Sequence, residues 1–223
     1  MMAWWSFIVV HVVRPLGQIF FTLLFRMEFH GLENIPREGA IILTPNHVTY
    51  MDPVLVGIAV KRRLFFMTWS RLFDIPILSI TMRIFGAFPV RLEGHDLSAV
   101  RRARAVVRNG KGLVIFPEGG RTTSGKLDPF KMGAFRLAVQ LGVPIVPVTI
   151  NGAYQIWPPK QRLPRLTGKI TIHYHPPIPP VSYTKADLKI RTEEVAQQVR
   201  ISIASNLDPT LVPEDLKELQ VGA

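Results

Sequence analysis

A chain of 223 residues is long enough for one domain with a true core and too short for two of ordinary size. It holds no cysteine, which excludes disulfides, thiolate catalysis and thiolate metal sites. The formal charge is +11, and residues 61–136 carry fifteen Lys or Arg against five acids, a balance of +10. That segment suits anionic head groups, phosphorylated substrates or acidic carrier proteins.

Residues 1–25 are almost uniformly apolar, with Trp4 and Trp5 near the start, Arg14-Pro15 in the middle and Arg26 at the end. Each half is shorter than the roughly 20 residues a spanning helix needs, and arginine with proline at a bilayer centre would be costly. The segment therefore predicts two short apolar helices that dip into one leaflet, with Trp4, Trp5 and Arg14 near the interface. A single span and packing onto a soluble body are the competing readings. A cleavable signal peptide is disfavoured, since no basic region precedes the apolar run. Residues 1–27 are thus set apart as membrane-associating helices, and 28–223 as the main domain.

From Gly31 onward, strand-like and helix-like stretches alternate. Strands are predicted over 40–44, 64–68, 88–91, 113–116, 145–150 and 169–175, and helices over 53–60, 75–85, 98–108, 130–141 and 185–207. The alternation predicts an α/β fold, a largely parallel sheet covered by helices. Prolines at 158–159, 176–177 and 179–180 punctuate late loops rather than separate domains.

The first chemistry-bearing stretch is Asn46-His47-Val48-Thr49-Tyr50-Met51-Asp52-Pro53, directly after the strand at 40–44. A histidine is the usual general base near neutral pH, and a carboxylate on its other ring nitrogen fixes the tautomer. In a uniform helix, positions five apart point about 140° from one another, so His47 and Asp52 can meet only if the chain turns between them. Pro45 ends the strand, and Asp52-Pro53 reads as a helix cap followed by proline at the first helical position. His47 then falls in a loop at a strand's carboxyl end, where open α/β sheets place their chemistry. A surface histidine beside a helix cap is the plain alternative.

Three further blocks follow in order: Gly86-Ala87-Phe88-Pro89-Val90-Arg91, Phe116-Pro117-Glu118-Gly119-Gly120-Arg121-Thr122 and Val143-Pro144-Ile145-Val146-Pro147-Val148. With the first, they resemble the four ordered motifs of the PlsC-type glycerolipid acyltransferases, which include the 1-acylglycerol-3-phosphate acyltransferases. The resemblance runs from about Gly31 to Pro179. Thr49 stands where that family usually has Ser, and keeps the hydroxyl; Gly120 stands where Thr is usual, and loses one.

The resemblance implies transfer of an acyl group from acyl-CoA or acyl-carrier protein to the sn-2 hydroxyl of lysophosphatidate, giving phosphatidate, in phospholipid biosynthesis. His47 would be the base and Asp52 its orienting partner, with Arg91, Glu118, Gly119 and Arg121 binding the acceptor's glycerol phosphate. It implies no cofactor and a lysophospholipid acceptor; together with the apolar N-terminus and the basic segment, this leads to the expectation of a monotopic or peripheral place on an anionic membrane surface, at its cytoplasmic face. Another lysolipid acceptor, such as a lyso-ornithine lipid, and a non-catalytic lipid-binding protein are the alternatives.

Independently of the resemblance, an arginine beside two glycines can offer a phosphate a bidentate fork and close backbone N–H groups. A local ion pair between Glu118 and Arg121 is the structural alternative. Three other signals carry less. Residues 120–126 match the start of a phosphate-binding P-loop, but Leu127 replaces the magnesium-binding hydroxyl and Pro129 interrupts the helix that should follow. His173 and His175 share a strand face without a third ligand, so no metal is expected. The basic run Arg101-Arg102-Ala103-Arg104 lacks interleaved aromatics and any nucleic-acid module, so nucleic acid is not an expected partner.

Overall fold

The computed structural model describes residues 8, 12–91 and 96–221. Its strands are β1 (Glu28–His30), β2 (Ile41–Pro45), β3 (Leu64–Trp69), β4 (Ala87–Val90), β5 (Gly112–Val114), β6 (Ile145–Asn151) and β7 (Thr171–Tyr174). Among the described residues they form one sheet in the order β1-β7-β6-β2-β5-β3-β4. The five strands from β2 to β6 run parallel, as predicted, because a helix crosses between most of them. β7 runs antiparallel to β6, and β1 pairs parallel with β7. β1 and its partnership lay outside the sequence prediction, since three residues of mixed burial carry no strand period.

The helices are α1 (Arg14–Phe25), α2 (Asp52–Ile58), α3 (Pro76–Ile84), α4 (Leu97–Arg108), α5 (Gly133–Leu141), α6 (Ala153–Ile156), α7 (Leu188–Ser205) and α8 (Glu214–Val221). Alternation along the central strands sorts them into two layers. Ile41, Leu43, Val114, Val146 and Val148 face one core with Phe25 of α1 and Leu55 and Val56 of α2. Ile42, Leu113 and Ile145 face the other with Val107 of α4, Phe135 of α5 and Val199 and Ile203 of α7. β2 and β5 are neighbours, yet the helices that follow them lie on opposite faces. Their connections diverge at the carboxyl edge of the sheet, the edge where such folds bind ligands.

Within the N-terminal segment, one described residue departs from expectation. Residues 1–7 and 9–11, including Trp4 and Trp5, lie outside the described residues. Arg14, expected near a membrane interface, is buried instead, and its guanidinium donates to Val60 O at 3.2 Å and Arg62 O at 2.8 Å. Carbonyls just past the end of α2 have no helical partner of their own, and the arginine supplies the donors. Pro15 falls in the first turn of α1, where its missing N–H costs no helical hydrogen bond. No helix among the described residues is long and apolar enough to cross a membrane. Nor is residue 27 a break in packing: Phe25 and Met27 belong to the core. The outward side of α1 exposes Leu16, Ile19, Phe20 and Leu23, spaced three and four apart on one helical stripe.

Candidate active site

The site is built where β2 and β5 end. Asn46 prolongs β2 by one step: its side-chain amide donates to Ile150 O at 3.1 Å, and its Oδ1 accepts from Ile150 N at 2.7 Å. The chain then turns away, and His47 stacks on Phe116 with ring centroids 4.0 Å apart. His47 Nδ1–H donates to Asp52 Oδ2 at 2.7 Å. The carboxylate is fully buried, while 17% of the histidine side chain is exposed.

Asp52 does not cap its own helix as the sequence suggested. Its Oδ2 turns back to accept from Val48 N at 2.6 Å and Thr49 N at 2.8 Å, and its Oδ1 accepts from Thr49 Oγ1 at 2.8 Å. Three amide and hydroxyl donors, besides the imidazole, thus compensate one buried charge. Thr49 Oγ1 in turn accepts from Met51 N at 3.0 Å. The hydroxyl common to Ser and Thr is therefore used twice in shaping the turn that brings His47 to Asp52. With Asp52 on Nδ1, the proton is held there, and Nε2 is the ring nitrogen left to accept one.

The β5 loop supports this turn from the other side. Glu118, 8% exposed, accepts His47 N through Oε1 at 2.7 Å and Asp128 N through Oε2 at 3.0 Å. Thr122 N donates to His47 O at 2.9 Å. Both oxygens of Glu118 are therefore occupied by backbone, and no ion pair with Arg121 forms among the described residues. Glu118 is a positioning residue for the His47 loop.

Burial pushes the Glu118 carboxyl from the ordinary 4.5 up to about 8, opposed by its two amide donors and helped by the charges of Asp128 and Asp52. The folded chain thus holds a proton that the unfolded chain releases in that window, so stability present at low pH is lost as pH rises through about 8. Glu118→Gln, which cannot ionise, is expected to show a flatter decline of unfolding free energy from about pH 4.5 to about pH 8. Urea titrations across that range check it; parallel slopes for the two proteins would refute the assignment.

Arg121 lies over the Tyr50 ring, with its guanidinium carbon 3.4 Å from the centroid. Its Nη1 is buried without a hydrogen-bond partner among the described residues. A donor so placed is costly unless a ligand answers it. Gly119 sits at φ 72°, and a methyl group there would meet the Lys131 ammonium at 2.6 Å. The left-handed backbone angle favours glycine here, and the lysine crosses directly above it. Lys131 was predicted inside a helix. It precedes α5 instead, and its ammonium end lies over the Gly119 turn.

Arg91 is not brought to the same place. It follows β4 at the sheet's edge, is exposed, and gives its backbone N–H to Asp96 at 2.9 Å. Two strands separate β4 from β2, a lateral distance of roughly 14 Å at the usual strand spacing. Residues 120–126 fold back on themselves through Thr122 and Ser124, and Tyr154 Oη donates to Thr123 O at 2.7 Å. No helix follows until Gly133, so the P-loop geometry is absent. His173 stacks on His30 at 4.6 Å, and His175 pairs with Thr149 at 2.8 Å. Tyr50 and Phe116 stood within the first and third blocks, but their roles as shelves for Arg121 and His47 carry no one-dimensional signal.

Comparison with known proteins bears on the family and the fold. The acyltransferase family model matches residues 26–151. The chain is 30% identical over 167 residues to the chloroplastic 1-acyl-sn-glycerol-3-phosphate acyltransferase of Brassica napus, covering 74% of this chain and 47% of that protein. It is 27% identical over 171 residues to the 1-acyl-sn-glycerol-3-phosphate acyltransferase of Borreliella burgdorferi, covering 76% of this chain and 68% of the relative. The chain spans about half the length of the chloroplastic relatives it matches. The crystal structure of PlsC from Thermotoga maritima, a 1-acyl-sn-glycerophosphate acyltransferase, superposes with a TM-score of 0.70 at 31% identity, over 85% of this chain and 77% of that one. With the family's span coinciding with the strands and loops that carry His47, Asp52 and Glu118, and a PlsC fold around them, this chain belongs to the acyltransferase family.

Proposed function

We propose that the protein transfers an acyl group from an acyl thioester to the free sn-2 hydroxyl of lysophosphatidate, forming phosphatidate. The observation that carries this reading is the His47–Asp52 pair, with a buried, fully hydrogen-bonded carboxylate behind a partly open imidazole. His47 Nε2 takes the acceptor's hydroxyl proton as its oxygen attacks the thioester carbonyl, and Asp52 stabilises the resulting imidazolium. The tetrahedral intermediate then expels the thiolate, which recovers the proton from His47. No covalent enzyme intermediate is needed, and the step as drawn uses no metal or cofactor. The donor is acyl-CoA or acyl-carrier protein. The test is a mass-spectrometric screen of purified protein against lysophosphatidate, lyso-ornithine lipid and other lysolipids with both donors; absence of phosphatidate from lysophosphatidate refutes the reading.

The acceptor's phosphate is read here as the partner of Arg121, whose orphaned Nη1 and flat seat on Tyr50 favour a directional anion contact, with Lys131 adding charge. Arg121→Ala is expected to raise the acceptor KM by about 10- to 100-fold and to leave the donor KM within about twofold. Steady-state kinetics with each substrate varied in turn decide it, and an unchanged acceptor KM sinks the assignment. Arg91, also read from the family motif as a phosphate ligand, stands apart from this cluster and is expected to matter less.

The same reading puts the protein on the cytoplasmic face of a membrane, where the acceptor resides, with the apolar stripe of α1 against the acyl region. Replacing Leu16, Ile19, Phe20 and Leu23 by glutamine is expected to release most of the protein from vesicles at high ionic strength, where basic-surface attraction is screened. Co-sedimentation measures this, and full retention of the variant contradicts the α1 assignment.

A further inference from the structure

The connection from α6 to β7, residues 157–168, has an unusual surface. It holds Lys160, Arg162 and Arg165 and no acid. None of these three has an ion-pair partner among the described residues. Between and beside them Leu163 and Leu166 are 71% and 70% exposed. The loop is held in this form: Trp157 Nε1 donates to Gln161 O at 2.9 Å, Arg165 N donates to Ile156 O at 2.9 Å, and prolines stand at 158, 159 and 164. Two leucines are therefore kept in water by a stiff segment, each flanked by a long cationic chain.

Its position gives that exposure a use. β6 ends and β7 begins at the carboxyl edge of the parallel strands, the edge that bears His47. Trp157 lies 5.6 Å from Tyr50 between ring centroids, and Tyr50 is the ring beneath Arg121. Ile170, just past the loop, gives its N–H to Phe25 O, the last residue of α1, at 3.0 Å. Trp157, Ile156, Ile170 and Phe25 share one core face, so the loop and the apolar stripe of α1 lie on the same side of the sheet.

We propose that loop 157–168 is a membrane contact beside the mouth of the active site, with Leu163 and Leu166 entering the interface of an anionic leaflet and Lys160, Arg162 and Arg165 reaching its head groups. Leucines between basic side chains suit this occupant: the apolar groups bury while the charges stay at head-group depth. An acidic carrier protein would answer the bases, but it would not account for the continuity with α1. The proposal rests on the reading of a lipid-embedded acceptor, and it explains how the Arg121 cluster would meet a phosphate lying at the bilayer surface.

The cysteine-free chain makes the test local. Leu163→Cys, Leu166→Cys and, as a control on α7, Glu193→Cys are each labelled in the full chain with an environment-sensitive fluorophore. On adding phosphatidylglycerol-containing vesicles, the probes at 163 and 166 are expected to shift to the blue and lose aqueous quenching severalfold, while the probe at 193 does not change. Replacing Lys160, Arg162 and Arg165 together by glutamine should weaken that shift severalfold. Probes at 163 and 166 that stay water-exposed on vesicle-bound protein overturn the proposal, as does failure of the protein to bind vesicles. A shift produced by acyl-carrier protein without vesicles, and not by vesicles, overturns it in favour of a protein partner. The measurement needs no turnover. Insertion without phosphatidate formation would therefore fault the enzymatic reading alone, and turnover on monomeric short-chain acceptor without insertion would fault this one alone.

Discussion

His47→Ala is expected to lower turnover by about 10² to 10⁴-fold while leaving the folded state nearly intact. The side chain lies against Phe116 and is partly open to solvent, so its removal opens no enclosed core cavity. The three remaining donors on Asp52 still compensate the buried carboxylate. The unfolding free energy should therefore change by only about 1 kcal/mol. Turnover of lysophosphatidate by purified variant, read beside a urea unfolding curve, separates the two quantities. Near-normal turnover would remove His47 from the chemistry.

Changes at Asp52 should separate differently, because in the proposed reaction that residue serves the chemistry as well as the fold. Asp52→Asn keeps the shape but loses the charge that stabilises the imidazolium and can hold the wrong tautomer. In a Ser-His-Asp triad the corresponding change costs about 10⁴-fold in turnover, and a loss of similar order is expected here. Asp52→Ala goes further. It leaves the amides of Val48 and Thr49, the Thr49 hydroxyl and His47 Nδ1 without their acceptor in a buried turn. Breaking a buried, hydrogen-bonded charge in this way typically costs about 3–5 kcal/mol. Asp52→Ala should thus lose stability as well as turnover, whereas His47→Ala loses turnover alone. Equal stability of the two alanine variants would show that the carboxylate does not organise the turn.

The parallel part of the sheet was legible in the sequence because its strands are buried on both faces. Runs such as Ile41-Ile42-Leu43 and Val146-Pro147-Val148 keep a continuous apolar character that a window of a few residues can register. The edge strand β1 was not. Its residues alternate half in and half out of water, and its pairing with β7 joins segments about 140 residues apart. The burial of Arg14 was illegible for the same reason: its partners are main-chain carbonyls of residues 60 and 62, which no side-chain pattern advertises.

At the site, residue identity by itself determined which groups can do the chemistry. A histidine five positions before an aspartate, after a strand ended by proline, offers a candidate base and requires a turn to bring the pair together. The ordered motifs added the family resemblance that the comparisons bear out. What only the tertiary structure decided is how the remaining polar groups are divided. Glu118 faces backbone amides because the β2 and β5 loops meet at adjacent strand ends, where a buried carboxylate can satisfy N–H groups from both. Arg121 is released from Glu118 and laid on Tyr50, and Arg91 is carried to the far edge by a strand order that does not follow chain order. Local sequence sets chemical type and strand period, which are properties of neighbours in the chain. The direction of a charge and its partners depend on strand order and on which loops share an edge, and those are fixed only when segments far apart in sequence pack together.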